Sequence, residues 1–479
     1  MSILRSLRTR HDGQKVVVIG LDCAAPELVF DQWRDDLPNL SRLAQRGLWG
    51  DLESCIPAIT IPAWSCMLSG KEPGELGIYG FRNRADHSYD GMFIATGDHV
   101  HEKRVWDYLS EAGKRSAVIG VPQTYPVRPL KGWLISGFLT PNRESHFAYP
   151  DRLRREILGA VPDYDFDVPQ FRTEEKEWLL QQIIEMTEKH FLAVDYLMAK
   201  KRWDFLMLME IGVDRIHHGF WSYHDPQHPK YEPGNPFERA IHDYYVRIDE
   251  KVGDWLEMVP EDTAILVVSD HGAKSMQGGV CINEWLWREG YLSFVHDPNP
   301  SELKPFREME VDWSRTTAWG EGGYYGRIFM NVRGREPQGI VSPWDYERVR
   351  DELAEKIEAI PGPDGQALGT RAFRPQQIYR LVRGVAPDLM VYFGDLSWRS
   401  VGSLGHGNIH TFENDTGPDT CNHARNGLFI LYDPRNPGEG QKIEGAQIYD
   451  VAATILDLFD LPAPPGAAGR SLVPHTPIP

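Results

Sequence analysis

The first clear pattern along the chain is an unbroken apolar run rather than an alternation. KVVVIGLD (15 to 22) is rich in β-branched residues and stops at an acid, Asp22, with Pro26 shortly after. A strand covered on both faces reads this way, and the acid falls where the strand reaches the carboxyl edge of its sheet. LPNLSRLAQRG (37 to 47) follows with apolar positions at helical spacing and Gly47 as a C-cap, so the two segments form a β-α unit. The same grammar recurs in SAVIGVP (116 to 122), WDFLMLMEIGVD (203 to 214), TAILVVSDHG (263 to 272) and NGLFILYDP (426 to 434). Each is an apolar strand that ends in polar residues. The pattern predicts an α/β fold with a mostly parallel central sheet flanked by helices, in which sites form outside the carboxyl ends of strands.

The segment 175 to 200 is a long amphipathic helix whose charges form a solvated face. Between 298 and 385 the texture changes: RIFMNVRG reads as an exposed strand, REPQGIVSP as a loop and WDYERVRDELAEKIEAI as a polar helix. These predict a small appended α+β subdomain at 298–385, inserted in a catalytic core formed by 1–297 and 386–479. The core resumes near APDLMVYF (386 to 393) and closes with a helix over 446 to 461, before an irregular Pro-rich tail. Apolar strand edges in the inserted segment are compatible with a dimer, and nothing in the sequence excludes a monomer.

Composition narrows the partners. With 41% apolar and 25% charged residues over 479 positions, the chain can bury a large core and disorder is excluded. A formal charge of −18 argues against a nucleic-acid polymer as partner, because that surface repels a phosphate backbone. An anionic substrate then needs a local reversal of field, which bound cations supply. The five cysteines, Cys23, Cys55, Cys66, Cys281 and Cys421, form no CxxC pair and read as reduced thiols. No stretch reaches the roughly 18 apolar residues of a membrane span. The basic leader MSILRSLRTRHDGQK has no apolar h-region behind it and reads as a loosely docked arm, so the expected location is cytoplasmic.

Five short segments carry nearly all the suggestive chemistry: Asp22; Thr60 in PAITIPAWSCMLSG; Asp214 and His218 in GVDRIHHGFW; Asp270 and His271 in VVSDHG; and His423 in CNHARNG. Three Asp and three His with a hydroxyl suffice for two divalent cations, and imidazole with carboxylate suits Zn²⁺ or Mn²⁺. Asp22 alone reads equally as a helix N-cap. Asp270 and His271 can reach one ion only where the strand breaks, and Gly272 supplies the break. Asp214 and His218, four apart, share one face if their segment is helical. His217 competes for the same role, and the spacing favours His218, leaving His217 to pack or to support the ligands. His423, in a loop before GLFILYD, would complete a three-ligand site, although taken alone it reads as a surface histidine.

These segments, in this order, resemble the alkaline phosphatase superfamily and specifically its type I phosphodiesterase and nucleotide pyrophosphatase branch, from Asp22 to the GRSL segment near the C-terminus. The resemblance implies one ion on Asp214, His218 and His423, and a second on Asp22, Thr60, Asp270 and His271. The ions expected are two Zn²⁺, with Mn²⁺ as the alternative. It also implies that Thr60 is the nucleophile of a phosphoric ester hydrolase acting on a small-molecule phosphate ester through a phospho-threonine. The spacing from Thr60 to Pro62, Gly70, Pro73, Gly77 and Ile78 is similar to the family's nucleophile segment. A sulfatase would carry Cys at position 60, with Ser and Arg soon after Pro62, where this chain has Ala63 and Trp64.

Two departures stand out. Leu76 occupies the place of a frequent His, and Phe81 that of the Asn which stabilises the equatorial oxygen in nucleotide pyrophosphatases. Asn83, Arg82 or the backbone N–H after Thr60 is the candidate replacement donor. Phosphomonoesterases and metal-dependent phosphomutases share this core, but such mutases use Ser and carry a larger insertion than 80 to 170. A non-catalytic metal carrier would have lost a ligand or the nucleophile, and none is lost. Trp64, Tyr79, Phe81, Phe220, Trp221 and Tyr223 either stack on a substrate base or sugar or pack the core, and His406 and His410 are candidates for the pocket mouth.

Overall fold

A computed structural model describes residues 13–474; most of the basic leader, 1–12, lies outside the described residues. The main sheet has ten strands. At its centre Val16–Leu21 runs parallel to Phe205–Glu210 on one side and to Ala264–Val268 on the other. Ser116–Ile119 and Gly132–Ile135 extend the parallel set beyond Phe205–Glu210. On the other flank Asn426–Tyr432 inserts antiparallel between Ala264–Val268 and Leu48–Glu53. All the residues of the three central strands are buried, which is why they read as continuous apolar runs. Helices Pro38–Arg46, Lys176–Lys200, Gly212–His224 and Ala240–Met258 pack together as one layer, and Thr60–Ser69, Val105–Glu111 and Asp450–Asp457 as another.

Register positions the chemistry. Gly20 pairs with both Met209 and Val268, so two residues further on Asp22, Ile211 and Asp270 emerge level with one another at the carboxyl edge.

The second body departs from expectation in its boundaries. A four-stranded antiparallel sheet orders Ala318–Glu321, Gly326–Met330, Leu389–Tyr392 and Arg371–Phe373, with helix Tyr346–Glu358 packed on it. Leu389–Tyr392, expected in the main core, belongs here instead, and the apolar cluster of this body runs from Val280 to Leu404 rather than ending at 385. An apolar strand carries no mark of the sheet it joins. Gly326–Met330 is buried throughout, not exposed, because it is an inner strand between two partners. The closing helix is confined to Asp450–Asp457. Among the described residues no helix is long and apolar enough to cross a membrane.

Candidate active site

Thr60 is the first residue of helix Thr60–Ser69 and is buried. Pro62 fits the first turn, where no intrahelical acceptor exists for its missing N–H, and Gly70 closes the helix at φ 70°. One turn after Thr60, Trp64 donates Nε1–H to Asp22 Oδ2 at 2.7 Å, which ties the helix to the end of the first strand. Asp22 Oδ1 is left buried with no hydrogen-bond partner. Asp270 repeats this arrangement: Oδ1 accepts the Cys23 N–H at 3.2 Å, while Oδ2 is buried with no hydrogen bond, 3.1 Å from His271 Nε2.

Helix Gly212–His224 places Asp214 and His218 on one face, with His218 Nε2 3.2 Å from Asp214 Oδ1. His423 corrects its expected place in a loop. It lies on strand Cys421–Ala424, paired antiparallel to Gly272–Ser275 with His423 opposite Ala273, and is 1% exposed. Its Nε2 is 3.3 Å from His218 Nε2 and 3.8 Å from Asp214 Oδ1.

All three histidines are oriented alike. His218 Nδ1–H donates to Asp419 Oδ1 at 2.8 Å, His423 Nδ1–H to the Ala58 carbonyl at 2.9 Å, and His271 Nδ1–H to the Gly272 carbonyl at 3.2 Å. Each Nδ1 bond fixes its ring so that Nε2 is directed at the cluster, the orientation a metal ligand requires. The donor atoms form two groups, Cys23, Asp214, His218 and His423 in one and Asp22, Asp270 and His271 in the other, each within 4.8 Å of one another. The His271 and His423 rings stack at 3.8 Å across the seam. Thr60 Oγ1 stands 3.4 Å from His271 Nε2.

Burial, then the neighbouring carboxylate Asp270, raises Asp22 well above the ordinary carboxylate range; burial raises Asp270 likewise, with Asp214 adding to it. Burial and His423 hold His271 well below its usual value, and burial with His218 pushes His423 down to about 4. Burial alone would lower His218, but Asp419 and Asp214 carry it well above. A buried cluster with orphaned carboxylate oxygens, two imidazoles held neutral and a third, His218, whose charge answers the carboxylates beside it is a donor set that divalent cations satisfy by taking the place of that proton. The residues fit two such ions.

Thr60 also opens onto a cavity of about 190 Å³ walled by Phe81, Phe138, Phe171, Arg172, Arg215 and Tyr324, next to Asp214 and His423. Of the six aromatics singled out, Phe81 alone lines it. Trp64, Tyr79, Phe220 and Trp221 are buried in the packed interior, and Tyr223 lines a different cavity. His217 is buried between Trp221 and Tyr245, and burial pushes it down to about 3. His406 bonds Ser403 and His410 bonds the Pro361 carbonyl, and neither lines this cavity. Asn83 is a correction as well. Its Oδ1 accepts the Tyr79 N–H at 2.7 Å and its Nδ2 donates to the Gly80 carbonyl at 2.9 Å, so it pins its own turn rather than facing Thr60. Arg82 is exposed.

The sequence reading missed Asp419, Tyr324 and Arg172. Tyr324 stacks on His218 at 4.8 Å, lies tilted against His423 at 4.4 Å and donates to Asp419 Oδ2 at 2.9 Å, while Arg172 Nε donates to the same oxygen at 3.1 Å. None of the three sits in a periodic or motif-like context; only their three-dimensional meeting reveals them.

A parallel-centred sheet carrying two carboxylate-imidazole groups around a hydroxyl at its carboxyl edge defines the alkaline phosphatase-like class. Within it, the chain belongs to the family described as type I phosphodiesterase / nucleotide pyrophosphatase, whose profile matches residues 16–419. That family consists of metal-dependent phosphodiesterases and pyrophosphatases. No curated protein sequence matches the chain. Among solved structures it is similar to human ectonucleotide pyrophosphatase / phosphodiesterase 5, at 13% identity and TM-score 0.53 over 94% of this chain and 96% of that one. It is also similar to the inactive threonine-to-alanine form of the murine protein in complex with AMP, at 14% identity and TM-score 0.52 over 96% and 97%. Phosphonoacetate hydrolase from Sinorhizobium meliloti 1021, in complex with phosphonoacetate, matches at 15% identity and TM-score 0.58 over 92% and 94%. At these identities the likeness is one of fold.

Proposed function

We propose that the chain hydrolyses small phosphate esters of the phosphodiester or nucleotide pyrophosphate type, with Thr60 as nucleophile. The observation that carries this reading is the position of Thr60 Oγ1, 3.4 Å from His271 Nε2, at the seam of the two donor groups and at the wall of the cavity. Asp214, His218 and His423 would hold one ion, and Asp22, Asp270 and His271 with Thr60 the other, Zn²⁺ by preference and Mn²⁺ as the alternative. Such ions supply Lewis acidity and positive charge beside the phosphoryl group.

The chain's own residues do the rest. Helix Thr60–Ser69 fixes Oγ1 at its first residue, and the Trp64 bond to Asp22 holds that residue against the sheet edge. Oγ1, its proton given up to solvent, forms the new bond to phosphorus as the ester oxygen on the opposite side departs with the bonding pair and takes up a proton, leaving a phospho-threonine that water cleaves. Phe81, Phe138 and Phe171 exclude water from one wall and give the leaving group an apolar surface. Small phosphoryl or phosphonyl compounds, AMP and phosphonoacetate, occupy the murine and bacterial relatives, which supports a small substrate.

One observation favours a second reading. The guanidinium groups of Arg172 and Arg215 wall the same cavity, and they suit the greater charge of a phosphomonoester. Thr60→Ala tests the proposal: fold and bound metal persist while turnover of every ester falls on the order of 10³-fold or more. Undiminished turnover would remove Thr60. Comparing p-nitrophenyl phosphate with bis-p-nitrophenyl phosphate on the unaltered protein separates the two readings.

A further inference from the structure

Cys23 follows Asp22 directly, is fully buried, and sits with its sulfur within 4.8 Å of the donor atoms of Asp214, His218 and His423. Those three donors are already spaced as ligands of one ion, with edges of 3.2, 3.3 and 3.8 Å. A tetrahedron with bonds of about 2.0 to 2.3 Å has edges of roughly 3.3 to 3.8 Å. Three corners are therefore filled by oxygen and nitrogen, and a sulfur lies at the cluster. Its hydrogen rests on the Gly272 carbonyl at 3.4 Å, and the Cys421 thiol is its other polar neighbour.

We propose that Cys23 is a fourth protein ligand of the ion held by Asp214, His218 and His423, so that the two positions of the centre differ in kind. The first position is a sulfur, nitrogen and oxygen site that prefers a thiophilic ion; the second, on Asp22, Asp270 and His271 with Thr60, is oxygen-rich and accepts a harder one. The bond forms from a sulfur lone pair as the thiol proton leaves to solvent, with no change of oxidation state. The inference rests on reading the cluster as a metal centre.

The backbone makes the test clean. Cys23 has φ 65°, in the left-handed region that glycine enters without steric cost, and its N–H to Asp270 is a backbone contact that any residue there keeps. Cys23→Gly should therefore fold, and Cys23→Ser keeps the side-chain volume. The protein loaded with Co²⁺ is expected to bind two ions and to show a thiolate-to-cobalt charge-transfer absorption in the near ultraviolet, which both variants lack. Cd²⁺ affinity at one site should drop at least the ~10-fold that loss of a supporting partner costs, while Mn²⁺ affinity at the other stays within about twofold. Two bound Co²⁺ without the absorption, or an absorption that survives in Cys23→Gly, overturns the assignment and leaves the proposed function standing. No bound ion by elemental analysis overturns both.

Discussion

His218 donates Nδ1–H to Asp419 at 2.8 Å, and this contact determines that its other nitrogen faces Asp214 and His423. Burial alone would raise Asp419, yet His218 beside it and then Arg172 hold it well below the ordinary carboxylate range. Asp419 thus acts on the centre through His218. Asp419→Asn should weaken ion binding by about 10- to 100-fold, with activity recovered at high metal concentration. A metal titration followed by activity and by elemental analysis checks this, and activity lost at every metal concentration would contradict it.

Asn83→Ala should cost stability rather than catalysis. Two buried bonds vanish and leave the Tyr79 N–H and the Gly80 carbonyl unpaired, at about 1 to 3 kcal/mol each. Thermal unfolding should shift down while kcat per folded molecule stays within about twofold. A large fall in kcat at unchanged stability would return Asn83 to the active site.

Removal of the ions by a chelator should destabilise the protein more at pH 8 than at pH 5. Burial raises Asp22 and Asp270 above their unfolded values, so in the stripped protein their contribution favours folding at low pH and is lost as pH rises through the folded pKa values. The loaded protein behaves oppositely, because ions displace those protons. Thermal midpoints of both forms across this window provide the measurement, and a gap that narrows toward pH 8 would refute the account.

Phe171 lies between two cations, 4.2 Å from Arg215 and 4.4 Å from Arg172. Phe171→Ala removes both contacts, each worth about 0.5 to 1 kcal/mol, and roughens the cavity wall. KM should rise severalfold with metal content unchanged, read from steady-state kinetics on the best ester of the panel.

The legible part of the site was the part encoded locally. Asp214 and His218 share a face because the helix repeat brings every fourth residue round, and Asp22 and Asp270 end apolar strands whose register sets them level. His423 was legible only through its resemblance to a family motif, since the short strand that buries it has no apolar run of its own. Asp419, Tyr324, Arg172 and the place of Cys23 beside the donors of Asp214, His218 and His423 come from segments far apart in the chain, and each is chemically ordinary until packing joins them. The misplaced strand Leu389–Tyr392 has the same origin: burial is visible in a sequence, but the identity of the neighbouring strand is not.

The antiparallel strand Asn426–Tyr432 is the last long strand among the described residues and yet occupies an interior slot of the main sheet. During synthesis, Leu48–Glu53 and Ala264–Val268 are complete long before their common neighbour exists, so each keeps an unpaired edge until residues 426–432 have emerged. Because His423 arrives on the same stretch, closure of the sheet and completion of the donor cluster are one late event. A chain cut short before position 420 would retain every other donor, yet it would leave one edge of Ala264–Val268 open and Leu48–Glu53 without any sheet partner, as a sticky fragment rather than a weakened enzyme.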